Sequence, residues 1–317
     1  MLNKFFSFIY INSFKFFPVK INKFLGKFFK KLHDMHIKAS YSKDFRAHLD
    51  IEGNKFKLLL MKNDNQAQSV YQKLHFNHDS YETIMVKTLI KSINFLNTKN
   101  FLDLGSFMGF YACLVASKFN DQQNIYAIES NPKYVNYINQ SVKLNNFTNI
   151  NVINKILSDR EEYLYVDNER VLSSLDENQN LEKLKAITLD KLCEDKKIDP
   201  EIIKIDVHGA EGKVLTGCSQ ILEKHAKVIL LELHTSEYLK KYSNGFNRKK
   251  IISLLIEKNF HCFLVSSFRD YDKKNKYELI QINNENFDFI FFDRDKSDQF
   301  IICIKNNIDR KILNLFE

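Results

Sequence analysis

Four clusters of residues in this sequence have the side chains and the spacing to do chemistry. The first, Asp103-Leu104-Gly105-Ser106-Phe107-Met108-Gly109, follows an apolar run and opens a helical one. Doubly wound α/β sheets receive nucleotide-type ligands at such a turn, where a glycine lets the backbone come close. A turn that binds a dinucleotide pyrophosphate needs a further glycine two residues on, and Phe107 stands there. That departure counts against NAD. S-adenosylmethionine carries no phosphate and accepts a bulkier turn, with the amides of Gly105, Ser106, Phe107 and Gly109 and the Asp103 carboxylate facing its amino-acid end. The second cluster is Glu129-Ser130-Asn131-Pro132, in which Glu129 lies 24 residues beyond Gly105. An acid at that place accepts ribose hydroxyls, Ser130 stands beside it, and Pro132 suits the first turn of a helix.

The other two clusters are apolar runs that end in ionisable groups. Ile202-Ile203-Lys204-Ile205-Asp206-Val207-His208-Gly209-Ala210-Glu211 reads as a buried strand with a charged tip, and Val228–His234 repeats the arrangement with Glu232 and His234. Residues two apart in a strand share a face, and parallel neighbours lie about 4.8 Å apart, so these acids and imidazoles converge at one sheet edge. A hydroxyl that attacks a sulfonium methyl must lose its proton, and an imidazole, whose charge changes near neutral pH, is matched to that step. His208 is the first choice for the base. Asp206 would orient it or hold the acceptor hydroxyl, with Glu211, Glu232 and His234 as further catalytic candidates. The same set could bind a divalent metal, but carboxylate and imidazole pairs at this spacing are common without one, and no metal is expected. The plainer alternative pairs Lys204 with an acid, makes Glu211 a helix cap and leaves the histidines solvated.

The elements that must position these groups follow from the pattern. From residue 99 onward short β-type runs alternate with helical runs, the signature of a parallel sheet wrapped by helices. Strands are expected at Phe101–Leu104, Ile125–Glu129, Ile150–Leu157, Ile202–Asp206, Val228–Leu233, Phe260–Ser266 and Phe287–Asp293, and helices at about 110–119, 132–145, 210–225 and 246–258. Residues 159–200 break the rhythm: Glu161–Val171 alternates like a hairpin and Leu181–Leu192 is partly helical, which makes an insertion. The expected divisions are a basic aromatic extension (1–50), a lead-in segment (51–98), the α/β domain (99–295) and a C-terminal tail (296–317).

From Met1 to Lys31 the chain has seven lysines, nine phenylalanines and no acid. Polar residues interrupt it too often for a secretory signal or a membrane span. It reads either as an amphipathic helix on a membrane or partner, or as a helix packed on the main domain. The net charge of +8 admits a polyanionic partner, yet no stretch matches a nucleic-acid-binding motif, and a nucleic-acid acceptor is not expected. Five scattered cysteines without a CxxC pair point to reduced thiols in a cytoplasmic protein.

Together the motifs resemble the FkbM family of S-adenosylmethionine-dependent methyltransferases. The matching elements are Asp103 to Gly109, Glu129-Ser130-Asn131-Pro132 with Asn145-Asn146 downstream, Thr188-Leu189-Asp190, Lys204 to Glu211, and Glu232-Leu233-His234. Tyr81-Glu82 is similar to the family's lead-in helix, so Glu82, like Asp159 after the third strand, joins the cofactor-binding candidates. The resemblance covers roughly residues 80–265. Two positions depart from it: Phe107 replaces the asparagine of the turn, and His208 the first glutamate of Val-Glu-Gly-Ala-Glu. It implies a Rossmann-like class I methyltransferase sheet of about seven strands and O-methylation of a saccharide or glycolipid hydroxyl, in polysaccharide or natural-product synthesis. The competing expectations are a methyltransferase-fold binding module that has lost catalysis, and an RNA or protein methyltransferase.

Overall fold

The computed structural model describes residues 45–51, 53–61, 67, 82–119, 123–166, 171–172, 182–265, 279–283, 285–291, 294, 297–308 and 312. The basic aromatic segment, Tyr81, and Ser266 and Asp293 at the ends of two expected strands lie outside these residues.

A hairpin of β1 (Phe45–Ile51) and β2 (Asn54–Leu60) comes first, spanning the expected division at residue 50, and α1 (Thr83–Leu96) leads into the main sheet. There β3 (Asn100–Leu104), α2 (Phe110–Phe119), β4 (Asn124–Glu129), α3 (Pro132–Asn145) and β5 (Ile150–Asn154) form right-hand neighbours in sequence and in space. A small sheet follows, made of β6 (Ile156–Leu157), β7 (Glu162–Val166), β8 (Val171–Leu172) and β9 (Glu182–Ile187). The chain returns through α4 (Leu189–Lys196) to β10 (Ile202–Ile205), α5 (Glu211–Thr216), α6 (Ser219–Lys224), β11 (Val228–Leu233), α7 (Ser236–Tyr242) and α8 (Arg248–Glu257). It closes with β12 (Phe260–Val265), β13 (Leu279–Ile282), α9 (Phe287–Phe291) and β14 (Gln299–Lys305).

The main sheet runs β13-β12-β14-β11-β10-β3-β4-β5. Strands β5, β4, β3, β10 and β11 are parallel neighbours, whereas β14 lies antiparallel between β11 and β12. Strand order reverses between β3 and β10, which is where an open α/β sheet forms its ligand crevice. The central strands are apolar on both faces because helices cover both. Alternate residues feed two cores: Phe101, Ile125, Ile202 and Val228 pack with α1, α2 and the hairpin, and Leu102, Ile128, Ile203 and Ile229 pack with α4 to α9. No helix among the described residues is long and apolar enough to cross a membrane.

Three expected elements differ. The run Ile150–Leu157 is two strands in two sheets: β5 pairs with β4, and after Lys155 β6 pairs with β9. Asn154 ends the first by donating its side-chain amide to the carbonyls of Glu129 and Ser130, both at 2.9 Å. The helix expected over 210–225 breaks at Gly217, where a Cβ would lie 2.1 Å from the Ser158 carbonyl oxygen. Asp190 starts the second piece, accepting from the amides of Gln220 (3.0 Å) and Ile221 (2.9 Å). Finally, Phe287–Phe291 is helical rather than extended. A short apolar run fits a buried strand or a buried helix equally well by periodicity. The last strand is instead β14, in the stretch read as a tail, and its Phe300 to Ile304 are fully wrapped by β11 and β12.

Candidate active site

Strand β3 carries Asp103 into the sheet and releases the chain into the glycine turn. Gly105 (φ +73°) touches the tip of β10 so closely that a Cβ would sit 1.8 Å from the Asp206 carbonyl oxygen. A side chain is excluded there on both counts. The amides of Gly105 and Ser106 donate to the Ile128 carbonyl (3.0 and 3.1 Å), that of Gly109 to the Ser106 carbonyl (2.7 Å), and that of Phe107 to Glu129 Oε2 (2.8 Å). The expectation that these four amides face a ligand is therefore corrected: those of Gly105, Ser106 and Phe107 turn inward and lock the turn to β4, and that of Gly109 closes the turn itself. The Ser106 hydroxyl donates to the Asp103 carbonyl at 2.7 Å. Phe107 has φ +50°, a left-handed conformation that asparagine adopts more easily. What the position supplies is a backbone N–H, so the phenylalanine keeps the turn's function, and its ring meets Tyr134 edge-on at 4.5 Å.

Two carboxyl groups remain to meet a ligand. Glu129 accepts the amide of Asn131 (2.8 Å) and, more weakly, the Ser130 hydroxyl (3.4 Å) on Oε1. Each oxygen keeps a lone pair, enough for the two hydroxyls of a ribose. Burial pushes this carboxyl up to about 7 in spite of the donated hydrogen bonds. Asp103 is fully buried, and beyond its 3.4 Å ion pair with the Lys204 ammonium its oxygens have no hydrogen-bond partner among the described residues. Burial raises its pKa, with Lys204 working against that. A buried acceptor left in this state is costly, and a donor-bearing ligand such as S-adenosylmethionine, with an ammonium on its amino-acid end, fits it.

Lys204 joins the two halves of the crevice. Its ammonium donates to the Gly105 carbonyl (3.1 Å) and lies 3.4 Å from Asp103 Oδ1 and 3.6 Å from Asp206 Oδ2. It also sits over the Tyr111 ring, whose hydroxyl donates to Glu82 Oε2 at 2.6 Å. Burial works to lower the lysine's pKa, but Asp103, Asp206, Glu82 and Glu232 outweigh it and hold the ammonium charged. The pairing of Lys204 with acids is thus real, and it brings Glu82 into the site.

At the carboxyl edge, Glu211 is fully buried and binds both the Gly209 amide (3.1 Å) and His234 Nδ1 (2.7 Å). His234 Nε2 points toward Asp206 Oδ1 at 3.9 Å. Burial opposes charge on this imidazole, but Glu211, Asp206 and Glu232 push its pKa up to about 10. It is therefore protonated at neutral pH and cannot accept the acceptor's proton. His208, also in the left-handed region (φ +51°), is exposed, with its ring edge-on to His234 at 5.4 Å. Glu232 is buried beside His234, and Asp298, leading into β14, comes into reach of both. Asp159 lies apart: its carboxylate accepts the Ser158 hydroxyl at 3.1 Å, and its backbone packs on Gly217.

Sequence reasoning missed Asp298 and Arg248. The buried Arg248 guanidinium donates to the carbonyls of His234 (2.9 Å), Leu233 (3.3 Å), Arg294 (2.8 Å) and Ser297 (2.6 Å), and so fixes the end of β11 to the entry of β14. Arg248 follows Asn247, a visible helix cap, but its carbonyl partners are distant in sequence and leave no local signal.

No curated protein matches the chain. Among solved structures it is similar to the methyltransferase FkbM from Methylobacillus flagellatus KT, at 14% identity over 76% of this chain and 55% of that one, with a TM-score of 0.44. It is also similar to precorrin-6y C5,15-methyltransferase from Geobacter metallireducens GS-15 (14% identity, 71% of this chain, 88% of that one, TM-score 0.39). A third is an O-methyltransferase from Bacillus cereus in complex with SAH (12%, 72% and 84%, TM-score 0.40). The model of the methyltransferase FkbM domain matches residues 100–262, from the first residue of β3 into β12. With the glycine turn, the ribose acid and the charged tips of β10 and β11 all inside that span, this chain belongs to the FkbM family of methyltransferases, and S-adenosylmethionine is its cofactor.

Proposed function

We propose that the protein is an O-methyltransferase acting on a saccharide hydroxyl of a glycan or glycolipid. The observation that carries this reading is the placing, beside the cofactor crevice, of an exposed imidazole, His208, within 4.8 Å of a partly exposed carboxylate, Asp206, whose neighbours Lys204 and His234 are both cationic. A hydroxyl nucleophile needs a group to take its proton and a group to hold it, and this edge offers both. Because His234 is already charged, the proton goes to His208, with Asp206 holding the hydroxyl. Glu211 and Arg248 set the position of His234, and Gly105 sets that of Asp206. When bound, S-adenosylmethionine supplies the methyl group; Glu129, Asp103 and the lead-in Glu82 are the residues that would hold it.

Incubation with methyl-labelled S-adenosylmethionine and a panel of mono- and oligosaccharides tests the proposal. A methyl ether on a sugar hydroxyl is the expected product. Label passing instead to RNA or protein, with none on any sugar, overturns it. We further propose that residues 1–35 hold the protein at an anionic membrane surface, where a lipid-linked saccharide would be presented.

A further inference from the structure

We propose that Asp206, His208 and His234 bind a divalent transition-metal ion at the acceptor edge. One oxygen of Asp206 and one ring nitrogen from each histidine lie within 4.8 Å of one another. Ligands of a single ion at about 2.1 Å stand roughly 3–4 Å apart, so small side-chain rotations complete the set. The histidine at 234 is already oriented as a ligand, and the ion would displace to solvent the proton that this imidazole carries in the ion-free protein. Its Nδ1 is bonded to the buried Glu211 carboxylate at 2.7 Å, which turns Nε2 toward Asp206 at 3.9 Å. A carboxylate behind the far ring nitrogen fixes the orientation and tautomer of metal-bound histidines.

Lys204 lies nearer the other oxygen, Asp206 Oδ2, at 3.6 Å, and leaves Oδ1 on the histidine side. Around the same point gather Glu232 and Asp298, whose oxygens form a second trio with His234. The carboxyl groups of Asp206, Glu211, Glu232 and Asp298 thus outnumber the cationic Lys204 and His234 at this edge, a charge balance that a divalent cation replacing the His234 proton improves. His208 contributes from a left-handed backbone position that turns its ring against His234. At this position the family pattern has a glutamate, so the two-imidazole, one-carboxylate set belongs to this chain, and it selects zinc or cobalt over manganese, magnesium or calcium.

The use of the ion rests on the O-methyltransferase reading, although its binding does not. With the ion present, His208 serves as a ligand and the acceptor hydroxyl is acidified by the metal. The O–H proton then passes to solvent, the oxygen's electron pair forms the new C–O bond, and the pair of the broken S–CH3 bond stays on sulfur.

The test is calorimetric titration of the chelator-treated, full-length protein with Zn²⁺, Co²⁺, Mn²⁺ and Mg²⁺ separately, without methyl donor or acceptor, together with the visible absorption of the Co²⁺ form. Expected are one Zn²⁺ or Co²⁺ per chain and cobalt bands of nitrogen and oxygen ligation. In His208→Ala, binding should weaken at least tenfold while S-adenosylmethionine affinity stays at the parent value. His208→Glu should retain an ion and shift preference toward Mn²⁺ and Mg²⁺. No binding at millimolar ion overturns the proposal, and so does an affinity unchanged in His208→Ala but lost in Asp298→Asn, which places the ion in the second trio. An ion bound as expected, with no sugar methylated, removes the O-methyl reading alone.

Discussion

At the residue scale, the proposed function gives two side chains separable tasks that solution measurements can divide. Glu129 serves the cofactor. Glu129→Ala should weaken S-adenosylmethionine binding by about 1.5–3 kcal/mol, the worth of hydrogen bonds to a charged group, as read by calorimetry. Because burial raises this carboxyl to about 7, its charge, and with it its strength as an acceptor, is gained as pH rises through that value. Cofactor affinity should therefore increase between about pH 6 and 8, and Glu129→Gln should flatten the increase. The stability of the cofactor-free protein changes in the opposite sense. Between the unfolded carboxyl pKa near 4.5 and the folded value near 7, the folded state holds a proton that the unfolded state has released, so stability falls as pH rises across that window. His208 serves the acceptor. His208→Ala should lower the methyl-transfer rate by about 10²–10⁴-fold and leave cofactor affinity intact. A parent-like rate in this variant would return His208 to a structural role.

At the scale of elements, the site depends on two close approaches between segments far apart in sequence. The turn after β3 meets the tip of β10 through Gly105, and a side chain there meets the Asp206 carbonyl at 1.8 Å as well as a left-handed backbone. Gly105→Ala should cost at least about 3 kcal/mol in urea unfolding, because both strain and displacement are imposed on packed backbone. Arg248 joins α8 to the ends of β11 and β14 through four carbonyl oxygens. Arg248→Met fills a similar volume but leaves those carbonyls without their donor. A loss of about 3–5 kcal/mol is expected, together with slower methyl transfer, since His234 and Asp298 lie at the two segments it ties. Equal urea midpoints for Arg248→Met and the parent would show that the carbonyls find other donors.

At the scale of the whole molecule, the basic segment ahead of the hairpin is expected to act on location rather than on chemistry. Removal of residues 1–35 should leave methyl transfer to a soluble sugar unchanged and abolish co-sedimentation with anionic liposomes at low salt. Equal sedimentation of both forms would remove that role. The five cysteines, all buried and free, agree with the reduced thiols expected from their spacing. Cys262 and Cys303 face each other across β12 and β14, a proximity that sequence could not show.

The sequence by itself determined the parallel sheet, the glycine turn, the acid that ends β4 and the charged tips of β10 and β11, because each is a local pattern: an apolar run, a φ that only glycine tolerates, an acid at a strand end. It also determined that Asp206, His208, Glu211, Glu232 and His234 share one edge, since strand periodicity and parallel pairing fix that geometry. Only the tertiary structure decided their states. Whether His234 is a base or a cation depends on how deeply Glu211 is buried behind it, and whether turn amides serve a ligand or Glu129 depends on the distance between β3 and β4. Only the fold, too, could place Phe287–Phe291 in a helix and Gln299–Lys305 in the sheet. Both runs are apolar and short, and the choice between them rests on which one finds two open strand edges, a property of the assembled sheet rather than of either segment.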